Sequence, residues 1–378
     1  MINNKYIQEI YQLEIQHISN QFFIDRCCTK GSSYIDKGIL IAKTEYVLTH
    51  NENFQAKEFK VKQMIENIRS DYQEYSDIMI YYKFRKERIW INNERDQRDY
   101  EYIRLVYRDE NDHLLLEERV VNEEHEMHLV VEEALKHMIN NINKVTIKEI
   151  QKTKLDGNYS VVIPTSLTGL FIHEIIGHLL ENDFFEHPLT MINYETCCSK
   201  ILNVSDIALG NMNINKIDDI GGHCIDTPLI KNGKIINCLS EKTGNKRRED
   251  YRHKPITRMR TTYVHPYSDK NELDYINGLE SGIFLENIIM GNVNPLDGSY
   301  FLDGYGYNIK DGRKNGLIIK LRIEGNIIED LLKIADIGND VKLRGIECFK
   351  KSQFVRVASL SPSMLLNDMK VIGEMYEC

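Results

Sequence analysis

The segment from Ser160 to Asp183 places two histidines and a glutamate, His173-Glu174-Ile-Ile-Gly177-His178, in a largely apolar run. Imidazole nitrogens are good zinc ligands, and a carboxylate beside them can take a proton from an activated water and return it to a leaving amine. Two histidines that share zinc on a helix are usually four residues apart, about 40° around the axis. Here the separation is five residues, which on a regular helix is about 140° and too wide for one ion. A π-type widening by one residue restores convergence, and Gly177 offers backbone freedom just before the second histidine. The spacing therefore predicts a widened turn between His173 and His178. The same residues also fit a plain helix with two ordinary histidines and a surface glutamate, because motifs this short arise by accident.

A catalytic zinc usually takes three protein ligands and keeps one position open. Glu181, His187, Cys197, Cys198, His223, Cys224, His253, His265 and Cys348 all carry suitable donors, and composition does not choose among them. Glu181 suits a carboxylate that accepts the second N–H of a metal-bound imidazole better than a direct ligand, and Asp183 has the same options. Lys246-Arg247-Arg248, with Arg252, Lys254, Arg258 and Arg260, is the densest basic cluster. It fits either a dock for a substrate carboxylate or a solvated face partly neutralised by Glu249 and Asp250. The acidic run Glu117–Glu126 reads as a soluble face or loop, and Tyr263 and Tyr267 as cleft or rim residues.

The elements that must position these groups follow from periodicity. Ile7, Ile10, Tyr11, Ile15, Ile18 and Phe22 recur at three- and four-residue spacing, which predicts an amphipathic helix over Tyr6–Phe22. Gly31–His50 alternates enough for two short strands, and Phe54–Arg69 reads as a second helix. Ile78–Phe84, Arg88–Ile91, Tyr102–Tyr107 and Leu114–Val121 form an antiparallel meander, and Val130–Ile142 returns to helical spacing. A domain boundary is expected near residue 145, followed by a strand at Tyr159–Ile163. A Pro164-Thr-Ser166 turn then leads into the metal helix, with Ser166 as its N-cap. Helices are expected near 167–181 and 270–284. The fold class is α+β: an N-terminal helix and antiparallel-sheet domain (1–145), then a β-rich C-terminal domain (146–378) carrying the metal helix.

A chain of 378 residues with 42% hydrophobic content suffices for two domain cores. The net charge of −9 argues against nucleic-acid binding through backbone electrostatics. The sequence lacks an apolar run long enough for a membrane helix, and its start lacks the apolar core of a signal peptide, so a cytoplasmic protein without membrane partners is expected. Eight cysteines, with adjacent pairs Cys27-Cys28 and Cys197-Cys198 and no Cys-x-x-Cys, fit mostly free thiols.

Several ordered motifs resemble one family, the TldD/PmbA metallopeptidases, also called modulators of DNA gyrase. His173-Glu-Ile-Ile-Gly-His178-Leu-Leu-Glu181-Asn-Asp183 is similar to the family's metal helix. Asp218-Asp219-Ile-Gly-Gly, Asp226-Thr-Pro228, Thr243-Gly244-Asn-Lys-Arg247-Arg248-Glu249-Asp-Tyr251-Arg-His253, Ile337-Gly338-Asn339-Asp340 and Gly345-Ile-Glu-Cys348 follow its later motifs. The resemblance implies that His173, His178 and Cys348 hold zinc and that Glu174 is catalytic. It gives Glu181, Asp183, Arg247, Arg248 and His253 supporting or substrate-binding roles.

The resemblance further implies hydrolysis of unfolded or small peptides lying extended in a chamber. The implied assembly is two-fold, a homodimer or a pair with a paralogue lacking the His-Glu motif. Leu179 and Phe349 replace family glycines, and Lys350-Lys351 replaces a glycine-rich tail, adding bulk near the site. The N-terminal region is shorter than the family norm, which suits a specialised role such as leader removal from a modified peptide. The alternatives are a catalytically weak peptide-binding or assembly subunit with a structural metal, for which direct ligation by Glu181 would be the sign, and a zinc hydrolase acting on a non-peptide amide.

Overall fold

The structure, a computed structural model, describes residues 5–36, 39–48, 54–91, 94–110, 114–121, 127–146, 152–185, 198–208 and 217–376. The N-terminal half is built on strands β1 (Tyr6–Ile18), β2 (Gln21–Asp36) and β3 (Ile39–Leu48), helix α1 (Gln55–Asp71), strands β4 (Met79–Ile91), β5 (Glu94–Arg108) and β6 (Leu114–Val121), and helix α2 (Met127–Thr146). The strands form an antiparallel sheet in the order β3-β2-β1-β4-β5-β6. The helices at 54–69 and 130–142 and the meander are present, the two segments expected at 78–91 being one strand.

The expected opening helix is instead the central strand β1. Its buried positions are Tyr6, Gln8, Ile10, Leu13, Ile15 and His17, an alternation with one slip between Ile10 and Leu13. Two of these positions are polar, so the apolar residues alone mimic a helical period. Gln8 is satisfied by the Tyr251 N–H at 2.8 Å and Glu87 at 3.3 Å, and His17 by Arg69 at 3.3 Å. All three partners come from other elements and leave no local signal.

The chain continues through β7 (Lys152–Ile163), helix α3 (Thr165–Ile172), a π-helical turn (His173–Gly177), a 3-10 turn (His178–Leu180) and the short helix α4 (Asn182–Phe185). Next come β8 (Val204–Ile207), β9 (Thr227–Lys231), β10 (Lys234–Ile235), β11 (Lys246–Arg247), β12 (Ile256–Thr257), β13 (Thr261–Val264) and α5 (Glu272–Asn277). The remainder is β14 (Ser281–Val293), β15 (Ser299–Lys310), β16 (Arg313–Asn326), α6 (Ile327–Asp330), β17 (Ile334–Ile337), β18 (Lys342–Lys350), β19 (Gln353–Ser361) and β20 (Met364–Tyr376). The helix expected over 270–284 shrinks to α5, capped by Asn271, and Ser281 already begins a strand.

One C-terminal sheet runs β16-β15-β14-β7-β20-β17, and an added β16–β20 pairing closes its first five strands into a ring. A second runs β10-β9-β8-β13-β19-β18, with β18 at its edge, and β11 pairs with β12 in a two-stranded sheet. Helix α3 leaves β7 of the ring and lies against β13, β18 and β19 of the second sheet. Leu167, Phe171, Ile172, Ile175, Ile176, Leu179 and Leu180 are buried in the core this creates. A second core joins Leu13, Ile15, Ile80 and Tyr82, with α1 and α2, to Tyr305, Tyr307, Ile309 and Leu317 across the expected boundary at 145. The architecture is α+β. No helix among the described residues is long and apolar enough to cross a membrane.

The acidic run behaves differently from a solvated face at its start. Glu117 is buried and accepts from Tyr305 Oη at 2.8 Å, beside His137 Nδ1 at 2.9 Å. Glu123, Glu124 and Glu126 lie outside the described residues.

Candidate metal centre

The buried strand Val161-Val162-Ile163 delivers the chain to α3. The helix starts earlier than expected: Pro164, extended at φ −70°, is the N-cap, and its carbonyl accepts the Leu167 and Thr168 N–H groups at 2.9 and 3.0 Å. Proline fixes the entry angle without needing its own N–H, so Ser166 sits inside the first turn. A Cβ on Gly169 would stand 2.3 Å from Ser359 Cβ, so glycine is what lets the helix press onto β19.

The widened turn is present. The His178 N–H reaches back to the His173 carbonyl, a π-type bond. Gly177 serves it differently from expectation, since its φ of −56° is ordinary helix. Its lack of a side chain is what matters, because a Cβ there would lie 2.5 Å from Met259 Sδ.

The turn brings the two imidazoles within 4.7 Å, centroid to centroid. Cys348, buried on the edge strand β18, places Sγ 3.4 Å from His173 Nε2 and 3.2 Å from His178 Nε2. The other ring nitrogens are engaged: His173 Nδ1 lies 3.2 Å from Thr262 Oγ1 and His178 Nδ1 lies 3.0 Å from Glu181 Oε2. If each Nδ1 donates its hydrogen outward, as metal-ligating histidines do, the Nε2 atoms facing the thiol are left to bind a metal. Donor atoms of His173, Glu174, His178 and Cys348 all lie within 4.8 Å of one another. The set fits zinc, which takes mixed nitrogen and sulfur donors, with Glu174 Oε2 4.0 Å from His178 Nε2.

Electrostatics prepare the same groups. Burial works to raise the Cys348 thiol, but His178 and His173 outweigh it and hold it well below the ordinary thiol range. Burial lifts the Glu174 carboxyl above its usual value, against the pull of His173 and His178. Glu181 resists its own burial because His178 and Lys350 favour the carboxylate, holding its pKa at about 2.

Glu181 is turned away from the thiol. One oxygen takes the Met259 N–H at 2.8 Å, and the other faces His178 and Lys350. Asp183 pairs with Lys350 and Lys351, both at 2.9 Å. Among the other candidate donors, Cys198 is core, Cys224 bonds the Gly244 carbonyl, His253 pairs with Asp250 and His265 with Ser205, while His223 is exposed. His187 and Cys197 lie outside the described residues.

The basic cluster is no solvated face at its centre. Arg247, Arg248, Arg258 and Arg260 are buried. Arg247 donates to the Arg356 carbonyl at 2.6 Å, Arg248 to Ser33 Oγ at 2.9 Å and the Asp219 carbonyl at 2.8 Å, and Arg260 pairs with Asp206 at 2.8 Å. Arg258 donates to the Cys348 carbonyl and so backs the thiol's own strand. Arg258, Thr262 and Met259 thus support the centre through contacts that spacing alone does not reveal. Leu179 points into the core and Phe349 stacks outward on Phe354 at 4.6 Å, so neither adds the expected bulk at the thiol. Tyr267 is exposed, and Tyr263 stacks on His265 at 4.1 Å.

A π-widened helix bearing His-Glu-x-x-x-His against a thiol from a neighbouring strand gathers four potential metal donors. The chain belongs to the TldD/PmbA family: the PmbA/TldA metallopeptidase C-terminal domain matches residues 156–373. A metalloprotease TldD homolog of Buchnera aphidicola (subsp. Schizaphis graminum) is 31% identical over 237 residues, covering 57% of this chain and 48% of that protein. A zinc metalloprotease TldD homolog of Saccharolobus solfataricus is 26% identical over 254 residues, covering 63% and 57%. The chain spans about half the length of the curated relatives it matches. Its fold is shared with TldE from Thermococcus kodakarensis (TM-score 0.64, 13% identity, 97% and 96% covered) and a Thermotoga maritima protein described as a modulator of a DNA gyrase (0.68, 15%, 97% and 95%).

Proposed function

We propose that this protein is a zinc-dependent peptidase acting on unfolded or small peptides, with His173, His178 and Cys348 as ligands and Glu174 as the proton carrier. The observation that carries this reading is the convergence of two Nε2 atoms on Cys348 Sγ at 3.4 and 3.2 Å while both Nδ1 atoms are engaged elsewhere. Zinc held there would supply a Lewis acid for the scissile carbonyl and lower the pKa of a water. Glu174, beside His178 and with its carboxyl raised by burial, would be the group that takes a proton from a water in the site and passes it to the leaving amine. Thr262 and Glu181 keep the imidazoles in the tautomer the ligands need.

Cys348 lies in an edge strand, so an extended peptide that adds to β18 runs past the donors and is gripped through its backbone. We place the protein in the cytoplasm and in a two-fold assembly, either with itself or with a paralogue lacking the His-Glu motif. Leader removal from a modified peptide is the specialised form of this activity. A purely structural metal would be favoured by a fourth protein ligand, and the engagement of Glu181 by Met259 and Lys350 speaks against it.

Elemental analysis of the wild type beside Cys348→Ser and His178→Ala tests the site. One zinc per chain, sharply reduced in both variants, supports the ligand set and leads to a peptide-library assay with Glu174→Gln as the inactive control. A wild type that takes up no zinc, or a Cys348→Ser that keeps it, removes the reading.

A further inference from the structure

Lys350 follows Cys348 by two residues on β18, and its side chain is buried. Residues two apart on a strand share a face, so thiol and ammonium are both presented to the metal helix. The thiol meets the two imidazoles. The ammonium meets Glu181 behind one of them, and also Asp183 Oδ1 at 2.9 Å and the Thr257 carbonyl at 3.1 Å. Glu181 is fully buried, and its oxygens face His178 Nδ1 at 3.0 Å, the Met259 N–H at 2.8 Å and Lys350. A carboxylate in such a place is held only while its lone pairs are satisfied and its charge is paired.

We propose that Lys350 is a positioning residue of the metal centre: it holds Glu181, which fixes the His178 ring with Nε2 turned to Cys348, and thereby staples the ligand strand to the ligand helix. The inference rests on the zinc reading of that site. It gives a role to the one part of the Lys350-Lys351 pair that is turned inward. Lys351 is the natural contrast, with a side chain 52% exposed that reaches Asp183 Oδ2 at 2.9 Å. An exposed pair of that kind holds little.

The test is zinc affinity of the full chain, measured by competition with a chromophoric chelator, together with the absorption spectrum of the cobalt-substituted protein. Lys350→Met is expected to weaken zinc binding roughly 10–100-fold, the usual consequence of losing an outer partner of a metal ligand. It should also alter the cobalt–thiolate bands, and Lys350→Arg should recover part of the loss. Lys351→Met is expected to stay within about twofold. Because Lys350→Met leaves the Glu181 charge buried and unpaired, the same substitution is made in a Glu181→Gln background, where both charges are gone. There it should change affinity less than about threefold if Lys350 acts through Glu181. Wild-type affinity in a folded Lys350→Met variant, or an undiminished loss in the Glu181→Gln background, overturns the positioning role and leaves the zinc reading standing. A wild type without zinc affinity overturns both.

Discussion

Lys83 Nζ on β4 lies 2.8 Å from Glu347 Oε1 on β18, so the residue next to Cys348 is tied to the N-terminal sheet. Glu347 also accepts from Tyr100 Oη at 2.8 Å and Tyr102 Oη at 3.0 Å. Cys348 faces the metal helix while its neighbour anchors the opposite face of the strand. Removing the carboxylate takes this acceptor from two phenols and leaves the nearly buried ammonium to its longer contact with Glu14, at 3.8 Å. Glu347→Ala is expected to cost about 3–5 kcal/mol, and Glu347→Gln, which keeps one acceptor oxygen, about 1–2 kcal/mol. Urea denaturation reads both, and a loss below about 1 kcal/mol in the alanine variant would show that β18 holds its place without this contact.

Glu174 projects from the widened turn, with 27% of its side chain exposed, and is ranked among the donors only by proximity. If it carries the proton rather than the metal, Glu174→Gln keeps zinc stoichiometry and loses about 10²–10⁴-fold in peptide cleavage. Zinc lost in step with activity would make it a ligand instead.

Legibility in the sequence followed how local each signal is. The π-turn is readable because five-residue spacing of two donors conflicts with a regular helix, and only a local distortion resolves it. Strand β1 is unreadable because Gln8 and His17 occupy buried positions whose partners, Tyr251, Glu87 and Arg69, come from distant segments. Gly177 is noticeable in sequence, yet its reason, the approach of Met259, is tertiary. The inward turn of Arg247, Arg248 and Arg258 is likewise invisible, since their acceptors are mostly backbone carbonyls that any sequence carries. Lys350 reads only as added bulk near the site, because its partner Glu181 comes from a distant segment.

The contact at Gly177 makes a sharp packing test. A methyl group there meets Met259 Sδ at 2.5 Å, and Met259 is itself fully buried. Gly177→Ala is expected to destabilise by about 1–3 kcal/mol through overpacking, and to lower zinc content because the turn carries both imidazoles. In a Met259→Ala background the space is open, so the same substitution should cost markedly less. Equal costs in the two backgrounds would place the strain elsewhere in the turn.

His137 on α2 joins the two halves of the chain through charge. Nδ1 lies 2.9 Å from Glu117 on β6 and Nε2 3.1 Å from Glu286 on β14. Hydrogen bonds to Glu117 and then Glu286 outweigh burial and raise its pKa from 6.5 to about 9. The imidazolium is therefore bound more tightly in the folded state than in the unfolded chain. Its contribution is complete below about pH 6.5 and disappears as pH rises through about 9. That displacement corresponds to at most about 3 kcal/mol, less some solvent screening of a side chain 31% exposed. His137→Gln cannot carry the charge, so denaturation midpoints of wild type and variant should converge between pH 6.5 and 9.5, the wild type losing about 2–3 kcal/mol more over that interval. Parallel profiles would mean that the ring stays neutral between its two carboxylates and that packing alone joins α2 to β14.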